Sequence, residues 1–266
     1  MNIFFRELRT YRRSTLIWAI CLSTLVVVFL SLFPAFTKDA QLAQKILANL
    51  PAVVKSALDV SLANLFSIYG FFAFLFTFTL VAGSVQAMNL GVGILSKEES
   101  GKTVDFLLSK PVSRSKVVTS KISAAFCLIF LTNIVFSSVA LIMAKIVATS
   151  AFSSRTFLLI SIILLFVQIF FLALGILFSV IIPKIKSAIA VTLPTVFTFF
   201  IIGMLGALLG NDNVRYISPF KFFDPNYIIN HNSYEMKFLI IEIIFVIIAT
   251  IASYIIYINK DIRAVS

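Results

Sequence analysis

Six long stretches that are almost free of charge set the strongest limit on how this chain can fold. Each can supply the ~20 residues with which an α-helix crosses ~30 Å of hydrocarbon. Only the last of them contains a charged residue, Glu242. The six predicted spans are 14–37, 60–96, 122–144, 156–183, 187–211 and 238–259.

The composition supports a membrane protein. The chain is 60% hydrophobic and 12% charged, with a mean hydropathy of +1.06, whereas soluble domains are about a quarter charged. We therefore predict an all-α polytopic protein with six transmembrane helices, forming a single transmembrane domain over 1–266. The net charge of +11 raises the question of a nucleic-acid partner. No basic run with interleaved aromatic residues supports one, so no nucleic-acid partner is expected.

The distribution of basic residues predicts the orientation. Most of the 22 Lys and Arg residues fall in the N-terminus, in 97–121 and in the other segments on that side, which places both termini in the cytoplasm. No small-residue cleavage site follows the first apolar run, which indicates a retained signal anchor. These features fit a multi-pass protein of a prokaryotic plasma membrane.

The first 13 residues have an amphipathic pattern. Phe4, Leu8 and Tyr11 share one helical face, and arginines occupy another. This predicts an interfacial helix over 1–13 with its arginines toward anionic headgroups. An ordinary basic flank of the first span explains the same residues.

Three other segments have specific expectations. The long second stretch predicts a tilted helix that projects into the cytoplasm, loosened around its glycines Gly83, Gly91 and Gly93. The segment 38–59 is typical of a broken amphipathic helix on the outer leaflet or over a cavity. The segment 211–237, with two prolines and several aromatic residues, is typical of a re-entrant or interfacial hairpin.

The polar segment 97–121 carries six basic and three acidic residues between two apolar spans. Val104, Leu107 and Leu108 have the i, i+3, i+4 spacing of one helical stripe. Ser96 and Glu99 have capping-box spacing. Such a helix either lies on lipid or docks a soluble partner, and its acidic head favours docking because the inner leaflet is negative.

The same segment contains a GKT sequence at 101–103, but it does not predict a nucleotide site. The position five residues before Gly101 holds Ser96 where a phosphate-binding loop requires glycine, and no strand precedes it. We therefore expect no ATP hydrolysis by this chain alone.

These residues resemble the cytoplasmic signature of permease subunits of six-span ABC exporters. In that family the segment is a coupling helix that docks into a separate ATPase. The resemblance implies two copies of that ATPase, with ATP and Mg bound there and no cofactor on this chain. It also implies a second permease, identical or related. One departure is Lys102, which separates the Gly from the Thr. The residues assigned to docking are Glu98, Glu99, Gly101, Thr103, Val104, Asp105, Leu107, Leu108, Pro111 and Arg114.

A second resemblance to the family covers Ser218-Pro219-Phe220 and Phe222-Phe223-Asp224-Pro225 before the last span. Polar residues at membrane depth are candidates for a substrate pathway, although hydrogen bonding between helices is their commoner role. Glu242 either contacts substrate or an ion, or pairs with Lys237 or Arg215 near the outer surface, and the ion pair is favoured. The pathway candidates are Gln86, Asn89, Asn133, Gln168 and Glu242.

No catalytic or metal-ligating set is predicted. Cys21 and Cys127 lie in apolar stretches, and His231 has no second ligand near it in sequence. The sequence and the resemblance together predict the permease of an ATP-driven exporter with an amphipathic or hydrophobic cargo, such as a peptide, drug or lipid-like molecule. The alternatives are a membrane scaffold or regulatory subunit without transport, and an intramembrane enzyme.

Overall fold

A computed structural model of the chain describes residues 3–38, 66–100, 113–183, 185–210 and 212–259, with only the backbone described for 97–100 and 212. Each predicted span coincides with a long helix in these ranges, so the six-span all-α architecture is confirmed. The helices are α1 Ile3–Ser31, α2 Phe33–Lys38, α3 Ile68–Ser100, α4 Arg114–Val147, α5 Ser154–Ile181, α6 Ala188–Leu209, α7 Pro225–His231 and α8 Met236–Asn259.

Helix α5 is the centre of the bundle. It packs most extensively against α3, and also against α4 and α8, while α1 packs along α4. The buried side of α5 includes Phe157, Phe171 and Ile176, none of which is accessible to solvent. By contrast, α6 and α8 present rows of exposed isoleucine and leucine side chains, which suit contact with lipid chains.

Glycines bring α3 and α5 close together instead of loosening α3. Helix α3 is unbroken through Gly83, Gly91 and Gly93, contrary to our expectation. A Cβ added at Gly91 would lie 2.5 Å from the carbonyl oxygen of Leu172, and one added at Gly175 would lie 2.6 Å from that of Met88. The two backbones therefore touch at a Gly–Gly crossing, a contact that only small residues permit.

The N-terminal amphipathic stretch is continuous with the first span. No glycine or proline occurs between Ile3 and Ser31, so nothing ends the helix where a separate interfacial helix over 1–13 was expected. Leu8 and Tyr11 pack against the hydrophobic core, so these two residues contact protein, not lipid. The first break comes at Leu32, two residues before Pro34, which has no backbone N–H to donate.

The segment between α6 and α8 caps one end of the bundle. It contains two short 3₁₀ helices, Asp212–Tyr216 and Pro219–Lys221, followed by α7. Asp224 caps α7 by accepting a hydrogen bond from the backbone N–H of Asn226 at 2.8 Å. Phe223 stacks on Phe166 of α5, which fixes the segment to the central helix. The segment 38–59 lies, apart from Lys38, outside the described residues.

Candidate coupling site and buried polar cluster

The two helices that flank the polar segment 97–121 both extend into it. Helix α3 continues to Ser100, and α4 begins at Arg114. The start of α4 is set by Ser113, whose hydroxyl oxygen accepts a hydrogen bond from the backbone N–H of Lys116 at 3.4 Å. Residues 101–112 lie outside the described residues, so the predicted stripe of Val104, Leu107 and Leu108 stays a prediction. The same holds for the other docking residues in that range, which are Gly101, Thr103, Asp105 and Pro111.

Lys121 joins three helices directly behind this segment. Its side chain is 1% exposed. The ammonium donates a hydrogen bond to the carbonyl oxygen of Ile94 in α3 at 2.8 Å, and its Nζ lies 3.9 Å from the carboxylate of Glu7 in α1. A buried ammonium is tolerated only where hydrogen bonds and opposite charge replace water. Lys121 therefore connects α4 to both α3 and α1.

Arg114 adds a fourth connection at the same end. Its guanidinium donates a hydrogen bond to the carbonyl oxygen of Ile258, in the last turn of α8, at 3.3 Å. The last carbonyls of a helix have no partner within the helix and favour a positive charge. The predicted docking residue Arg114 thus links the start of α4 to the end of α8.

A hydrogen-bonded polar cluster lies in the middle of the bundle. Gln168 of α5 accepts from the Asn133 side chain of α4 at 2.6 Å, and its own amide donates to Gln86 of α3 at 3.1 Å and to the carbonyl oxygen of Gly83 at 3.1 Å. Gln86 in turn donates to the hydroxyl of Thr132 at 3.0 Å. Three of the predicted pathway residues are therefore brought together and bond one another across α3, α4 and α5.

The other two pathway candidates lie apart from this cluster. Asn89 is half-buried on α3. Glu242 is 4% exposed on α8, on the same face as the buried residues Phe238 and Ala249. Its Oε2 atom has no hydrogen-bond partner among the described residues.

The ion pair expected for Glu242 is not formed. Arg215 pairs with Glu235 at 2.6 Å, and Lys237 approaches the same carboxylate at 3.4 Å. Both cations also lie over the ring of Phe238. Glu235 precedes α8 and can reach both cations, whereas Glu242 faces inward among the helices.

Tyr234 closes the end of the bundle beside this charged group. Its hydroxyl donates a hydrogen bond to the carbonyl oxygen of Leu159 in α5 at 2.7 Å. Burial raises the pKa of Tyr234, so the hydroxyl keeps the proton that this hydrogen bond needs. The sequence resemblance had covered 218–225 but gave no signal for this contact.

Two partners in these sites were missed from the sequence. Glu7 is the only acidic residue among the first 38, which marked it as unusual but did not identify Lys121 as its partner. Thr132 neighbours Asn133 and was overlooked because hydroxyl residues are common in spans. Among the described residues there is no group of three or more His, Cys, Asp or Glu side chains that could hold a metal ion.

Comparison with known proteins gives one result that covers nearly the whole chain. No curated protein matches the sequence. The model of a protein family described as "ABC-2 family transporter protein" matches residues 1–262. This confirms the resemblance to ABC permeases and agrees with the six apolar helices. The chain is a multi-pass membrane protein that belongs to the ABC-2 family of transporter proteins.

Proposed function

We propose that this chain is the membrane-spanning permease of an ATP-driven exporter in a prokaryotic plasma membrane. It pairs with a second permease, identical or related, around a substrate pathway. Two separate ATPase subunits bind ATP and Mg and dock on the segment 97–121. The cargo is amphipathic or hydrophobic, since the bundle is rich in apolar side chains.

The observation that carries this proposal is the position of Lys121. A helix that transmits force from an ATPase must be attached to the spans that it moves. Lys121 lies seven residues after the start of α4, and its partner Ile94 lies six residues before the end of α3. Both arms of the docking segment are thus joined near their base, with α1 attached through Glu7.

Helix geometry then determines how movement spreads. Above Lys121, the Gly91–Gly175 crossing and the Gln168 cluster fasten α3 and α4 to α5 by close contact and directional hydrogen bonds. A displacement of the docking segment is therefore passed to α1, α3, α4 and α5 together. ATP-driven closure of two ATPase subunits would move these blocks and change access to the pathway between permeases.

The test is a pair of substitutions in the predicted apolar stripe. Replacing Leu107 and Leu108 by Asp places two charges in the surface that we expect to be buried against the ATPase, so co-purification with the cognate ATPase is lost. The matched control replaces Ser109 and Ser113 by Asp, which adds the same charge away from that stripe. Both variants should insert into the membrane normally, because the spans are unchanged.

The result against the proposal is retained co-purification of the double-Asp variant at Leu107 and Leu108. Transport is measured separately, with wild-type permease and ATPase reconstituted in vesicles. A complex that forms but gives no ATP-dependent flux would favour the scaffold function.

A further inference from the structure

Glu242 is a carboxyl group inside the bundle without a counter-charge. It is 4% exposed, and among the described residues it makes no ion pair. The basic residues closest to it in sequence are occupied by Glu235. Leaving an ionised carboxylate in this position would cost several kcal/mol.

The depth of Glu242 follows from the aromatic contacts of α8. Phe245 stacks on Phe170 of α5 with ring centroids 4.2 Å apart, and α5 and α8 run in the same direction, since Tyr234 bonds Leu159 one end earlier. Glu242 precedes Phe245 by three residues, or ~4.5 Å of helix rise. It therefore lies near the level of Gln168, in the middle of α5.

No charged side chain reaches this level from the helices packed against α8. Helix α5 carries only Arg155, in its first turn. In α4 the charged residues nearest to Asn133 are Lys121 and Lys145, each twelve positions away, or ~18 Å along the helix. The short 3₁₀ helix that contacts the start of α8 carries Lys221, which lies at the end of the bundle.

The surroundings select the smallest cation. A metal ion requires several oxygen ligands. At this level the oxygens of Gln86 and Gln168 already accept hydrogen bonds, and only Asn133 Oδ1 is without one among the described residues. A proton needs no cavity and no ligand set, and it removes the charge.

We propose that Glu242 is a proton-binding site, occupied in this conformation. The second part rests on the proposed function: the proton exchanges with water when α8 separates from α5 during transport. The site thus binds a proton at the midpoint of the bundle.

The first experiment tests occupancy without any ATPase. Infrared spectra of the purified full-length protein in nanodiscs at neutral pH should show a protonated carboxylic acid band that is absent from E242Q and retained in the control E235Q. The thermal midpoint of E242Q should equal that of wild type at neutral pH. Wild type should fall below E242Q as the pH rises, because the folded protein holds the proton more tightly than the unfolded chain does.

Two results would overturn occupancy. One is a wild-type spectrum without the band that E242Q removes. The other is a loss of stability or of folding in E242Q at neutral pH, which would mean that the ionised form supports the structure. A wild-type midpoint that rises with added sodium or potassium, and not in E242Q, would assign a metal cation instead and would also overturn the proposal.

The second experiment tests exchange, in vesicles with the cognate ATPase. The wild-type transport rate should change with pH by up to about tenfold per unit, the limit for one titrating group, while the E242Q rate stays flat. A pH profile of E242Q that follows wild type overturns exchange. Absence of ATP-dependent flux in wild type refutes the proposed function and with it the exchange, whereas occupancy is judged by the first experiment alone.

Discussion

Replacing Lys121 by Met is the most informative single change at the coupling site. Methionine has a similar length and volume, so the substitution removes the ammonium without leaving a large cavity. What is lost is the hydrogen bond to the carbonyl oxygen of Ile94 and the charge 3.9 Å from Glu7. The hydrophobic contacts of α4 remain.

The magnitude follows from these two contacts. A hydrogen bond to a charged group contributes about 1.5–3 kcal/mol. The ion pair adds little, because 3.9 Å is long and the Glu7 side chain is 12% exposed and can be hydrated. We expect a loss of about 2 kcal/mol in the free energy of unfolding. At ~2–4 °C per kcal/mol for a chain of this size, the thermal midpoint falls by about 4–8 °C.

The assay compares thermal midpoints in detergent and ATPase activity in the reconstituted complex. The matched control is Lys116→Met, because Lys116 lies on the same end of α4 and is exposed. Its midpoint should equal that of wild type. Lys121→Met should also reduce transport per ATP hydrolysed, since α3 and α4 are no longer fastened below the bundle. If Lys121→Met matched Lys116→Met in both measurements, the role given to Lys121 would be refuted.

Two further substitutions test the contacts that hold α3 to α5. Gly91→Ala should lose about 1–3 kcal/mol of stability, since its Cβ would overlap the Leu172 carbonyl oxygen, whereas Gly93→Ala should be neutral because its nearest neighbour is 3.6 Å away; equal thermal midpoints would exclude a close crossing. Gln168→Leu should cost at least about 2 kcal/mol in denaturant or thermal unfolding, because it leaves buried polar partners unpaired, and Ser161→Ala, which removes a hydrogen bond within α5 alone, should cost less.

The spans could be predicted from the sequence because length and apolarity alone decide them. Five of the six predictions agree with the observed helices to within a few residues at the ends that lie inside the described ranges, apart from the joined N-terminal helix and the long start of α4. A helix in lipid is selected by the absence of charge, a property that can be counted along the chain. The continuation of α1 back to Ile3 could not be read from the arginines, because an amphipathic stretch suits either a flank or an interfacial helix.

The contacts between helices could not be predicted, since they depend on which faces meet. Gly91 was expected to loosen α3, but a glycine opposite Gly175 does the reverse by admitting the second backbone. Glu242 was expected near the surface, since it lies early in its own span. The stacking of Phe245 on Phe170 instead sets it level with the middle of the longer helix α5.

The kinds of contact in the bundle differ in how easily they can move. Helices α3, α4 and α5 share directional hydrogen bonds around Gln168, and sliding any one of them would leave buried polar groups unpaired. Between α5 and α8 the described contacts at mid-depth are aromatic stacking, which tolerates displacement because every offset keeps apolar surface covered. Glu242 lies on α8 at this boundary. If α5 moves with the coupling site and α8 is displaced against it, the boundary opens where the carboxyl group lies, and a proton held there meets water. The order of stiffness within the bundle is thus the physical link between Lys121 at the base and Glu242 in the middle.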